Sequence, residues 1–159
     1  MRISRIKGFL LTALACSFIL IGCETDNNPF QLDYTLAEAL LFDQADAIST
    51  EVRESGLTIH VLENGSGINE VVARDNITIY YTIRFKPTND IIESSYANNV
   101  TLPLQFSGIA NASSTKGDGF VEGILGMKED EKRILIIPPD ISVYSDTVIV
   151  DVELDSILY

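Results

Sequence analysis

Cysteine and histidine, two residue types that often serve in catalysis or metal binding, are scarce in this chain. Its 159 residues include two cysteines, Cys16 and Cys23, a single histidine, His60, and no tryptophan. Two cysteines are too few for a disulfide framework or a four-cysteine zinc site. His60 falls on the polar face of a predicted strand, and the charged run 129–133 (EDEKR) is typical of a solvated turn. We therefore expect no bound metal and no cofactor.

The charge balance excludes one class of partner. The chain has 11 Lys and Arg against 23 Asp and Glu, a formal net charge of −12. A strongly acidic surface repels phosphate backbones, so we expect no nucleic-acid partner. The length suits one domain, or one domain with a leader.

Residues 1–22 have the pattern of a secretory signal peptide. Three basic residues within the first seven positions precede an apolar run over 9–21. That run is shorter than the roughly 20 residues of a transmembrane helix. It ends in Leu20-Ile21-Gly22-Cys23, which resembles the lipobox of bacterial lipoproteins.

The lipobox resemblance implies that Cys23 is lipidated and that the leader, with Cys16, is removed. The mature chain then carries 8 basic and 23 acidic residues, a net charge of −15, so a basic patch cannot hold it on a membrane. Several acyl chains on one cysteine give stable anchoring. Glu24 follows the cysteine, where Asp is the usual inner-membrane retention signal in enteric bacteria. We therefore expect a lipid anchor in the outer membrane, facing the periplasm.

The mature chain begins with a polar segment and a helical pattern. Residues 23–34 are polar and interrupted by proline, as in a tether, and residues 35–54 are predicted to be helical. Thr35 would cap this helix together with Glu38, and Gly56 would end it. Two placements stay open: a stalk or dimerising helix outside the domain, or an extra helix packed on it.

From residue 57 onward the apolar period changes from 3.6 to 2, which indicates strands. They are predicted from Leu57 up to a turn at 64–67, and at 76–85, 91–96, 102–106, 132–137 and 147–158. Residues 107–119 are predicted to be a loop, followed by a short helix at 120–125. Five or so strands around one short helix predict an α+β antiparallel-sheet domain over residues 56–159.

Eight short motifs follow one another in this domain. They are Ser55-Gly56-Leu57, residues 63–67 (ENGSG), 79–82 (IYYT), 92–96 (IESSY), 119–128 (GFVEGILGMK), 131–133 (EKR), 136–139 (IIPP) and 150–154 (VDVEL). Their order and spacing resemble an FKBP-type peptidyl-prolyl isomerase domain, over about residues 56–158. The resemblance implies an FKBP-like twisted antiparallel sheet wrapped around one short helix, with a proline-binding pocket between them.

The resemblance also implies which side chains form that pocket. Phe120 would be its floor, where the family usually has tryptophan, Tyr81 its wall, and Glu93 the partner of the Tyr81 hydroxyl. Further substrate-binding positions are Ile92, Leu102 and Val150, aliphatic where active members are aromatic, Tyr144 in the loop after the prolines, and Gly117. Gly117 lies in the stretch Lys116-Gly117-Asp118-Gly119 just before the short helix, where the family has an apolar pair and a backbone N–H that binds the substrate carbonyl.

The implied activity is isomerisation of X-Pro bonds in exported polypeptides, as a foldase of the cell envelope. Rotation about the peptide bond has a barrier of about 20 kcal/mol, and an isomerase lowers it by binding the twisted imide in a dry apolar pocket. The less aromatic pocket leaves an alternative open: a weakly active or inactive accessory component of an envelope machine, such as one for gliding. A chaperone without catalysis is a third possibility.

Overall fold

Seven strands form one antiparallel sheet in the computed structural model, which describes residues 31–158. The strands are β1 (Ser49–Val52), β2 (Thr58–Glu63), β3 (Asn76–Phe85), β4 (Ile91–Ser94), β5 (Leu104–Phe106), β6 (Lys132–Ile137) and β7 (Val148–Leu158). Their order is β1-β2-β6-β7-β3-β4, and β5 also pairs with β3. The predicted signal peptide and the lipidation site Cys23 lie outside the described residues.

Three α-helices accompany the sheet in this part of the chain: α1 (Thr35–Ala39), α2 (Ser113–Lys116) and α3 (Asp118–Ile124). The predicted short helix is α3, and the α+β class is confirmed. The predicted loop over 107–119 is wrong in part, because a 3-10 turn at Ile109–Ala112 leads directly into α2. Burial of Ile109 and Ala112 in the core stabilises these turns. The small polar residues around them are typical of a loop, so the sequence pattern does not indicate the turns.

The helix predicted over 35–54 is much shorter in the structure. It ends at Ala39, and the same span later forms β1, which pairs with β2 in an antiparallel hairpin. Thr35 is the first residue of α1 rather than its N-cap, which is Tyr34, and the Thr35 N–H donates to the Asp33 carboxylate over 2.9 Å. All four residues of β1 are exposed at the edge of the sheet, so they show no period-2 alternation. Backbone pairing with β2, rather than side-chain burial, makes this segment a strand.

The segment before β1 packs on the domain, which is the second of the two placements considered above. The Asp33 carbonyl accepts a hydrogen bond from the Asn98 N–H at 2.7 Å, and Ala37 is completely buried. Further along, the Phe42 N–H donates to the Asp151 carboxylate on β7 over 3.4 Å. Asp33 and Tyr34, predicted to belong to the tether, are thus bound to the domain. No helix within residues 31–158 is long and apolar enough to cross a membrane.

The core lies between α3 and one face of the sheet. On that face, residues of β3 and β7 stand opposite each other in the pairs Ile79–Leu154, Tyr81–Val152 and Ile83–Val150. Two glycines four residues apart let α3 approach closely. A Cβ on Gly119 would lie 2.5 Å from Ile137, and one on Gly123 would lie 2.4 Å from Leu135. Because α3 has no side chains at these two positions, its backbone rests on the Ile137 and Leu135 side chains of β6, while Phe120 and Ile124 are buried in the core.

The charged run 129–133 is only partly the solvated turn that its composition suggests. Glu131 and Arg133 are buried and form an ion pair with Nε and Oε1 separated by 2.6 Å. The Arg133 guanidinium also donates to the carbonyls of Gly123 and Leu125, at 2.8 and 3.2 Å. Arg133 therefore satisfies backbone carbonyls at the C-terminal end of α3, which a helix leaves unpaired. This ion pair fixes α3 relative to β6.

Candidate functional site

Three aromatic rings meet where α3 covers the sheet. Tyr81 comes from the middle of β3, Phe120 from α3 and Phe106 from the end of β5. The Tyr81 ring centroid lies 6.0 Å from each of the other two, in edge-to-face contacts, and the two phenylalanine centroids are 5.7 Å apart. Tyr81 and Phe120 are both fully buried. The structure thus brings the predicted wall and floor residues into direct contact.

A polar chain lies at the hydroxyl end of Tyr81. The Tyr81 hydroxyl donates to Oε1 of Glu93, on the neighbouring strand β4, as the family resemblance implied. The other carboxylate oxygen of Glu93 pairs with the Lys116 ammonium at the end of α2. The Lys116 Nζ also lies over the Tyr81 ring, 5.7 Å from its centroid. An ion pair therefore borders the aromatic cluster.

The negative charge of Glu93 contributes to the raised pKa values of three tyrosines near it. Burial raises the pKa of Tyr81 well above its ordinary value, and the hydrogen bond and negative charge of Glu93 act in the same direction. The pKa values of Tyr34 and Tyr144 are raised by burial first and by the Glu93 charge second. The Tyr34 hydroxyl donates to the Ile92 carbonyl over 3.0 Å. Three phenols are thus held neutral near Glu93, and one of them, Tyr81, donates a hydrogen bond to it.

The remaining predicted positions divide between the core and the surface. Val150 is fully buried opposite Ile83, and Ile92 packs half-buried against the core. Tyr144 contacts the core through an edge-to-face contact with Phe85, with ring centroids 6.1 Å apart. Leu102 is 66% exposed and is not part of the core cluster.

Gly117 occupies a backbone position that only glycine fills without strain. Its φ is +92°, and a Cβ there would lie 2.6 Å from the Ile141 carbonyl oxygen. Its N–H donates to the Ser113 carbonyl over 3.0 Å, at the end of α2. A peptide would have to displace that hydrogen bond before it could accept from Gly117.

Three residues of the site carried no predicted role: Phe106, Tyr34 and Lys116. Phe106 belonged to a predicted strand, and its aromatic type was the signal that could have identified it. Lys116 stood out only as a charge in place of an apolar residue. For Tyr34 the sequence held no signal, because its position follows from the docking of the N-terminal segment through Asp33 and Asn98.

The chemistry available here is binding rather than bond cleavage. The aromatic and aliphatic side chains form a buried apolar cluster, and the Tyr81–Glu93–Lys116 chain lies at its border. The single histidine, His60, lies on the opposite face of the sheet, bonded through Nδ1 to the Thr50 hydroxyl at 2.8 Å. Among residues 31–158, no three His, Cys, Asp or Glu side chains are grouped so that they could hold a metal ion.

Comparison with protein families matched residues 67–151 to the family FKBP_C, FKBP-type peptidyl-prolyl cis-trans isomerase. A search of curated proteins gave no significant match.

Among solved structures, FkpA from Escherichia coli is similar with a TM-score of 0.59 and 23% identity, covering 71% of this chain and 53% of its own. AtFKBP13 has a TM-score of 0.58 and 23% identity, covering 69% of this chain and 99% of its own. A peptidyl-prolyl cis-trans isomerase from Pseudomonas syringae pv. tomato has a TM-score of 0.56 and 17% identity, covering 73% and 86%. The chain therefore spans about half of FkpA, and the likeness to all three concerns the fold.

Proposed function

This chain belongs to the family of FKBP-type peptidyl-prolyl cis-trans isomerases, and we propose that it isomerises X-Pro bonds of exported polypeptides as a lipid-anchored foldase of the cell envelope. The observation that supports activity most directly is the contact of Tyr81 with Phe120 beside Glu93. All three residues lie within the matched span 67–151. Because Tyr81 and Phe120 are fully buried in this structure, this activity requires that the residues covering them move apart so that a proline ring reaches this apolar cluster and the polar groups at its border.

The catalytic principle is preferential binding of the twisted imide. In water, resonance makes the planar peptide bond polar and gives it a rotation barrier of about 18–20 kcal/mol. Twisting removes much of that resonance and makes the bond less polar. The twisted bond therefore loses less solvation free energy than the planar bond when an apolar surface replaces water. A site that binds the twisted form more tightly than the planar form lowers the barrier. Neither a nucleophile nor a general base is required.

Each proposed site residue has a part in this process. Phe120 supports the proline ring from α3, and Tyr81 forms the adjoining wall. Glu93 holds the Tyr81 hydrogen, so the phenol oxygen presents its lone pairs to the bound peptide. Substrate contacts at the sides of the pocket are assigned to Ile92, Tyr144 and Val150, with Leu102 and Gly117 as positions that require local rearrangement.

A protease-coupled assay tests the proposed activity. The full chain, purified in detergent, should accelerate cis-to-trans conversion of the p-nitroanilide of Ala-Leu-Pro-Phe. Phe120→Leu and Tyr81→Phe should each lower kcat/KM by about tenfold, equivalent to about 1.4 kcal/mol of transition-state binding. Tyr80→Phe is the matched control, because Tyr80 lies on the other face of β3 and stacks on Tyr96 with centroids 5.6 Å apart. No acceleration by the unmodified chain would refute catalysis and leave binding without turnover.

The envelope location depends on Cys23, which lies outside the described residues. We propose that Cys23 is lipidated and anchors the protein in the outer membrane, facing the periplasm. In cells given labelled palmitate, the protein should carry label and fractionate with the outer membrane. Cys23→Ser should lose the label and the membrane association. A Cys23→Ser protein that stays in the membrane fraction would refute lipid anchoring at this residue.

A further inference from the structure

Lys116 brings a positive charge to the border of an apolar site. Its side chain is 12% exposed, and its Nζ lies both against the Glu93 carboxylate and over the Tyr81 ring. Glu93 is more accessible, with 35% of its side chain exposed. A buried ammonium needs a partner, and a carboxylate so close supplies it. The pair is therefore neutral as a whole, although the chain carries a net charge of −12.

We propose that Lys116 determines the charge preference of the site: by neutralising Glu93, it keeps the pocket selective for X-Pro segments in which X is uncharged. The inference rests on the proposed function, since it concerns which peptides that site accepts. Without Lys116, Glu93 would face the bound peptide as an uncompensated carboxylate and would attract a basic X. Lys116 is thus a specificity-determining residue rather than a group that takes part in bond rotation.

The other charge on this turn is already engaged. Asp118, two residues after Lys116, accepts a hydrogen bond from the Ser113 hydroxyl. Within residues 31–158, Lys116 is the cation paired with Glu93. At about 6 Å from a substrate charge, a carboxylate in a partly exposed site changes binding by about tenfold, between the values expected for water and for a protein surface. Salt screens such an effect.

The experiment compares three peptides on matched variants. The p-nitroanilides of Ala-Leu-Pro-Phe, Ala-Lys-Pro-Phe and Ala-Glu-Pro-Phe are assayed with the unmodified chain, Lys116→Met and Lys132→Met. Lys132 is the control, because it is also half-buried in an ion pair, with Glu63 at 2.9 Å, but lies on β6. In Lys116→Met the ratio of kcat/KM for the Lys-Pro to the Leu-Pro peptide should rise about tenfold. Lys132→Met should leave that ratio within about twofold, because Lys132 pairs with Glu63 rather than with Glu93 and its charge is screened from the proposed site.

Two further measurements separate charge from shape. The double variant Lys116→Met/Glu93→Gln should restore the original ratio, and 0.5 M salt should reduce the gain in Lys116→Met. An unchanged ratio in Lys116→Met would overturn the inference, even if overall activity fell. An equal gain for all three peptides would also overturn it, since that result would mean that Lys116 blocks the pocket sterically.

Failure of the proposed function would look different. If the unmodified chain turns over no peptide, the same three peptides are titrated by calorimetry, and the ratio of Kd values replaces that of kcat/KM. A tenfold shift in this ratio for Lys116→Met would support the inference while refuting catalysis. Absence of binding for all three peptides would overturn both.

Discussion

Replacing Arg133 by methionine tests how α3 is held against the sheet. Methionine keeps most of the volume of the side chain and removes its charge and donors. The Arg133 and Glu131 side chains are 10% and 9% exposed, so the ion pair between them is largely shielded from water. The substitution also removes the donor to the carbonyls of Gly123 and Leu125 at the end of α3.

The size of the effect follows from this burial. Removing one partner of a buried ion pair lowers the free energy of unfolding by about 3–5 kcal/mol, because the other charge is left uncompensated. Glu131 keeps one partner, the Lys128 N–H at 2.9 Å, which places the expectation for Arg133→Met at the lower end, about 3 kcal/mol. With a urea m-value of about 2 kcal/mol per molar, the unfolding midpoint should fall by about 1.5 M.

Urea unfolding followed by circular dichroism measures this shift. Arg53→Met is the matched control, since Arg53 pairs with Glu51 at 3.1 Å on the surface, with side chains 42% and 56% exposed. Exposed pairs contribute about 0–1 kcal/mol, so its midpoint should move by less than about 0.5 M. The double variant Arg133→Met/Glu131→Gln should be more stable than the sum of the single effects predicts. Equal midpoints for Arg133→Met and Arg53→Met would refute the structural role assigned to the buried pair.

Three other outcomes follow from single positions. Gly117→Ala should lower the free energy of unfolding by about 1–3 kcal/mol. The loss should exceed that of Gly126→Ala, because Gly126 has a φ of +77° but a Cβ there would meet no atom within 4 Å. Equal losses for the two variants would contradict the close contact at Gly117. Burial raises the pKa of Asp151 more than its Arg84 partner lowers it, so the stability it contributes is present at low pH and is lost as pH rises above 3.8. Asp151→Asn should therefore flatten the dependence of urea midpoint on pH above 4, and an unchanged slope would contradict this. Since burial and Glu93 keep the pKa of Tyr81 far above its ordinary value, Tyr81→Phe should leave the alkaline absorbance titration unchanged up to pH 11; a smaller absorbance change would contradict it.

The strands with one buried face were predictable from local pattern. Alternation over 76–85 and the apolar run over 132–137 predicted β3 and β6 with the bounds that the structure has. The edge strand β1 was missed because all its side chains are exposed and carry no period. The signal for its pairing is backbone hydrogen bonding with β2, which leaves no trace in side-chain type.

The site was predictable only where a family motif fixed the residues. The contact of Tyr81 with Phe120 and the hydrogen bond of Tyr81 to Glu93 were expected, and both are present. The place of Lys116 in that chain was not expected, since the turn of α2 that brings it to Glu93 was predicted to be a loop. Tyr34 reaches the site from more than 40 residues upstream of Tyr81 through contacts that no local pattern encodes.

The sequence by itself indicated the α+β class, the positions of the inner strands β3 and β6, and the family resemblance, and its acidic balance led us to expect no nucleic-acid partner. Each of these depends on residue types and short spacings, which are local properties of the chain. Only the tertiary structure decided which charges are buried and paired. Glu131 and Arg133 in a charged turn and Lys116 in a polar loop would each be solvated in isolation, yet the packing of α2 and α3 on the sheet removes water from them. Burial strengthens the attraction within these ion pairs. The burial itself depends on residues that are distant in the chain, so the sequence around each charge does not reveal it.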